Sequence, residues 1–77
     1  MDTPLTAHIL ERFEEINWGH PVNCISVPRD LLEDDHIETV AEFEALLKYI
    51  RAVKNLDFEI REIDYCFGEN TFIVTLR

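Results

Sequence analysis

The sequence predicts an α+β domain of order α-β-α-β-β, in which two helices pack on one face of a three-stranded mixed sheet ending in a β-hairpin. Three observations carry that prediction. Two segments, near residues 4–16 and 40–53, repeat apolar side chains every three to four positions, the period of a helix with one buried face. A short β-branched run, residues 22–27, reads as a strand. The last 21 residues hold two alternating runs either side of Gly68-Glu69-Asn70, the pattern of a hairpin.

The first helix opens at Thr3-Pro4, because a threonine hydroxyl can accept from a free backbone N–H and proline suits the first helical position. Leu5, Ile9, Phe13 and Ile16 draw its apolar stripe, and Glu11, Arg12, Glu14 and Glu15 fill the wet side. Trp18-Gly19-His20-Pro21 should end it, with Gly19 as a left-handed cap. In the run VNCISV that follows, apolar groups occupy both faces, which suggests a central or covered strand, and Pro28 should stop it.

Residues 28–38 form an acidic connector, with a turn of helix anchored by Leu31 and Leu32. Thr39 and Glu42 then make a capping box, each side chain serving a backbone N–H at the start of the second helix. Its stripe is Val40, Phe43, Leu47 and Ile50, widened by Leu46 and Val53. Acidic residues lead this helix and Lys48, Arg51 and Lys54 close it, which suits its dipole; Asn55 is the expected C-cap.

The hairpin has a phase problem. Phe58 and Ile60 share one strand face while Ile63, Tyr65 and Phe67 share the other, so a bulge near Arg61-Glu62 is needed to bring both sets to the core. With Gly68-Glu69-Asn70-Thr71 as the loop, Phe67 faces Phe72, Tyr65 faces Val74 and Ile63 faces Leu76. A three-residue loop would set Asp64 against Val74 and Glu62 against Leu76, burying charge. A right-handed crossover would carry the first strand through the second helix to a parallel neighbour.

Size and charge bound the function. A chain of 77 residues makes one domain, spanning 1–77, and folding buries roughly 63% of its unfolded surface, enough for one modest core. Sixteen acidic residues against seven Lys+Arg give a net charge of −9. Such a surface repels phosphate backbones and anionic membranes, so neither nucleic acid nor membrane is an expected partner. A basic protein surface would be attracted and steered. The opening residues have no basic n-region and no long apolar run, so a cytoplasmic protein is expected.

Candidate chemistry is sparse. Asp30, Glu33, Asp34, Asp35, Glu38 and Glu42 (continuing to Glu44) crowd one stretch with only Arg29 beside them. They are the candidate partner-binding residues, and spaced carboxylates of this kind can imitate phosphates in a groove of another protein. A solvated loop leading into a dipole-matched helix would carry the same residues. Asp34, Asp35 and His36 lack the calcium-loop pattern, and neither Cys24 nor Cys66 has a zinc-finger partner, so no metal and no cofactor is expected. Both cysteines read as inert thiols, able to meet only if their strands are adjacent. Trp18 is either a lid on the core or an exposed anchor.

No phosphate loop, nucleophile elbow or metal motif is present, and the expectation is a protein that is not an enzyme. The leading reading is a small acidic binding protein docking on a basic protein surface, as an inhibitor or antagonist of a nucleic-acid-processing protein. The alternative is a structural or regulatory subunit that forms a homodimer through an apolar patch or a sheet edge, with residues 71–77 as the edge strand.

Overall fold

The computed structural model describes residues 3–77 and has an α+β fold: α1 (Pro4–Glu15), β1 (Asn23–Pro28), α2 (Arg29–Asp34), α3 (Val40–Val53), β2 (Ile60–Cys66) and β3 (Thr71–Leu76). The acidic connector therefore contains a helix of its own, α2, with Leu32 buried beneath it and Leu31 half-buried. Among the described residues no helix is long and apolar enough to cross a membrane.

Both long helices start as their sequences dictate. The Thr3 hydroxyl accepts from the Thr6 N–H at 3.2 Å, Pro4 takes the first turn, and Leu5, Ile9 and Phe13 point inward. Half of the expected capping box forms on α3: the Glu42 N–H donates to the Thr39 hydroxyl, but the Glu42 carboxylate accepts from that same hydroxyl and not from the Thr39 N–H, each contact at 3.1 Å. Phe43, Leu47 and Ile50 form its buried face. Val40 and Val53, expected in that stripe, are 48% and 59% exposed and lie at the two ends of α3.

The ends of the helices depart from expectation. Gly19 has no positive φ; α1 stops at Glu15 and Ile16 is already extended, with φ −72° and ψ 136°. The left-handed positions fall on His36, Asn55 and Asn70. Asn55 closes α3 in a Schellman turn, in which the Leu56 N–H returns to the Arg51 carbonyl at 2.9 Å.

The sheet is open and wholly antiparallel, in the order β1-β3-β2. This corrects the mixed sheet expected from the sequence. β1 and β2 do run in the same direction, as a crossover through α3 would leave them, but β3 lies between them and pairs antiparallel with both. Two further expectations fall with it. β3 is the central strand, not an edge, and its Val74 and Leu76 are fully buried. β1 is an edge strand covered on one face only: Ile25 and Val27 are buried, while Cys24 and Ser26 face outward.

In the hairpin the bulge lies at Arg61, between the Ile60↔Leu76 and Glu62↔Thr75 pairs, as the phase of the sequence requires. The pairing itself is displaced by two residues from the expected register. Tyr65 opposes Phe72, Ile63 opposes Val74 and Ile60 opposes Leu76, and Phe67 leaves the strand for the loop. A two-residue shift keeps every side chain on its predicted face.

One core results, made by the inward faces of α1, α3 and the sheet, with Leu32 of α2 and Phe58 just ahead of β2. Phe13, Phe58 and Trp18 stack at its lower end, with ring centroids 5.0 to 6.4 Å apart. Trp18 is a lid on that cluster, yet 44% of it meets solvent. The opposite sheet face carries Cys24, Ser26, Glu62, Asp64, Cys66, Thr71, Ile73 and Thr75, and among the described residues no helix covers it.

Candidate functional site

The six acidic residues singled out by sequence all lie along α2, its cap and the start of α3, and local geometry explains their placement. Pro28 fixes an extended φ of −60° ahead of α2, and Arg29-Asp30-Leu31-Leu32-Glu33-Asp34 wind one and a half turns. The helix then ends in a Schellman turn. The His36 N–H bonds the Glu33 carbonyl at 3.0 Å and the Ile37 N–H bonds the Leu32 carbonyl at 2.9 Å. His36 takes the left-handed position with φ 59°. That reversal tucks Ile37 against Leu32 and sends Glu38 back outward.

Four of the six carboxylates have partners within the chain. Glu33 pairs with Arg29 at 2.9 Å, Asp35 accepts from the Thr3 hydroxyl at 2.9 Å, and Asp30 accepts from the Asn70 amide at 3.4 Å. Glu42 accepts from the Thr39 hydroxyl at the start of α3. Asp34 and Glu38 are exposed and, among the described residues, take no ion-pair or hydrogen-bond partner. Glu44 is half-buried and pairs with Lys48 at 3.0 Å. The stretch thus stays strongly negative while only part of it is free to meet another molecule.

Arg29 ties this stretch to the hairpin. Its guanidinium lies 5.6 Å from the Tyr65 ring centre and donates to the Tyr65 hydroxyl at 3.3 Å; that hydroxyl donates in turn to the Asn70 side-chain oxygen. The Tyr65 hydroxyl, and behind it Glu33, hold the Arg29 pKa above its ordinary high value, so this cation never titrates in the working range.

Between α2 and the first turn of α3 runs a groove of about 330 Å³ that the sequence did not announce. Leu32, Ile37, Phe43 and Phe72 make its floor, and Arg29, Glu33, His36, Glu38 and Val40 border it. Phe72 reaches it only because β3 is the central strand. From the floor an aromatic run leads outward: Phe43 to Phe72, Phe72 to Tyr65, Tyr65 to Phe67, with centroids 5.8, 4.9 and 4.7 Å apart. Phe67, at the end, is 87% exposed. The signals that could have located the groove were the Leu32–Ile37 spacing across a left-handed turn and the odd phase of Phe67.

Elsewhere the chemistry is quiet. Among the described residues no three His, Cys, Asp or Glu side chains converge as a metal site would need. The Cys24 sulfur meets the Thr75 hydroxyl at 3.7 Å on the open sheet face. Cys66 lies on the other outer strand, with β3 between them, so the two thiols cannot join within one chain. A second hollow of about 480 Å³, bordered by Trp18, His20, Asp57 and Arg77, is wide and shallow.

No protein-family model, curated protein sequence or solved structure matches this chain.

Proposed function

We propose that this chain is a small acidic binding protein, not an enzyme, that docks on a basic surface of a protein partner; an inhibitor or antagonist of a nucleic-acid-processing protein fits best. The observation that supports the reading is the end of the molecule built by α2 and the start of α3. Six carboxylates occupy this stretch against one guanidinium, which pairs with Glu33 alone, and among the described residues Asp34 and Glu38 have no internal partner. A partner that binds phosphate carries the lysines and arginines such a field attracts, and its groove would accept carboxylates in place of phosphates. Charged complementarity also predicts how binding behaves: fast association, strong salt dependence and loss on charge reversal.

The test is affinity capture from lysate with the wild-type chain and with Asp34→Lys/Glu38→Lys. These two positions can be reversed without breaking an internal contact, unlike Glu33 or Asp35. The wild-type chain should retain a partner at about 0.05 M salt and release it by about 0.3 M, where exposed charges are screened. The doubly reversed variant should retain none. A partner held equally by both chains, at both salt concentrations, rules the electrostatic reading out.

The homodimer alternative has less room. β3 is paired on both sides, so strand addition would have to use β1 or β2. The outer edge of β1 is partly occupied, since His8 Nε2 lies 2.8 Å from the Ser26 carbonyl oxygen. β2 carries Arg61, Glu62 and Asp64 and a bulge, features that discourage edge pairing.

A further inference from the structure

We infer that the groove between α2 and α3, with the aromatic run that leads from it to Phe67, is the seat of a cationic partner segment carrying two large apolar side chains. The inference rests on the acidic docking reading and adds to it a shape and a partner chemistry. A purely solubilising acidic surface needs no apolar hollow at its centre. Here a floor of Leu32, Ile37, Phe43 and Phe72 opens between Glu33 and Glu38, and the acidic end of the molecule surrounds it. Its 330 Å³ has room for a leucine- or phenylalanine-sized group, and its open mouth suits a side chain brought by a partner segment.

Phe67 supplies the second contact. A phenylalanine left 87% exposed at a hairpin tip has no folding role in that position, because its register slot opposite Phe72 is taken by Tyr65. It packs edge-on against Tyr65, 81° between rings and 4.7 Å between centres, and Tyr65 in turn packs on Phe72 of the groove floor. Large aromatic side chains commonly anchor binding surfaces. Charge complementarity selects the occupant: Arg29 at the groove is already paired with Glu33, Glu38 is unpaired among the described residues, and Asp30, Asp34 and Asp35 lie on the adjoining α2 segment, so a basic segment is the one favoured to bring the apolar groups.

The experiment uses two synthetic octapeptides of equal charge, one of lysines with two leucines and one with alanines in place of the leucines. Each is titrated into the ¹⁵N-labelled full chain at low salt. The leucine peptide should bind about tenfold tighter for each leucine it seats, and should shift the amides of Ile37, Phe43, Phe67 and Phe72. Val40→Trp fills the groove mouth from an exposed position and should erase the preference for leucine while leaving the salt-dependent part intact. Phe67→Ser should erase the part that belongs to the hairpin tip. Circular dichroism checks that both variants remain folded, which exposure at these sites favours. Equal affinity for the two peptides overturns the groove and leaves the acidic face standing; a leucine preference that survives both substitutions also overturns it. Failure of both peptides to bind at low salt overturns the groove and the acidic docking reading together.

Discussion

His36, Asn55 and Asn70 hold φ values of 59°, 54° and 52°, and neither glycine of the chain does so. Asn55 was legible as a helix terminator, since asparagine tolerates the left-handed region by bonding its own backbone. His36 was not, because the acidic residues before it gave no sign that the helix had ended. A β-carbon in this region costs about 1 kcal/mol, so His36→Gly should raise unfolding stability by about that amount, read as a higher urea midpoint at unchanged slope. Thr39 gives the opposite case. Its place as N-cap was plain in the sequence, and Thr39→Ala should lower stability by about 1 kcal/mol by leaving the Glu42 N–H unpaired. Residue-scale chemistry is legible where one side chain carries it, and hidden where backbone conformation does.

The hairpin shows how far pattern can go for a whole element. Alternation identified the buried face and demanded a bulge near Arg61, and both are present. Absolute pairing stayed hidden because a two-residue displacement preserves every face. What separates the two registers is long-range: the observed one seats Ile60 opposite Leu76 and lets Glu59 and Arg77 exchange backbone hydrogen bonds at 3.1 and 2.9 Å. Phe67 is left out as the cost. The bulge makes a sharp prediction. Deleting Arg61 should leave Ile60 and Glu62 adjacent with both of their partners unchanged, and the protein should stay folded. Deleting Asp64 should throw Ile63 or Tyr65 to the open face and abolish cooperative melting. Dispersed amide resonances in the first variant and collapsed ones in the second are the expected spectra.

At the scale of the molecule, the α+β class was legible in the sequence, while the strand order stayed open and the expected parallel pairing is absent from the antiparallel sheet. Each strand was recognisable locally, whereas their order depends on which one buries most, and β3, with Val74 and Leu76 fully enclosed, takes the centre. The groove depends on the same choice through Phe72. Its carboxylate rim was therefore readable from charge alone and its apolar floor was not. A chain of this size has a total stability of about 4 to 12 kcal/mol, and Leu47→Ala, which empties a fully buried site, should cost about 3 kcal/mol. Thermal melting should show a midpoint lowered by well over ten degrees. The position of the two thiols carries one last consequence. Outer strands of a three-stranded sheet run roughly 10 Å apart, and Cys24 and Cys66 sit opposite Thr75 and Thr71, further separated along the strands. An oxidant can then only link one molecule to the next, so every covalently bridged species on a non-reducing gel is at least twice the mass of the chain.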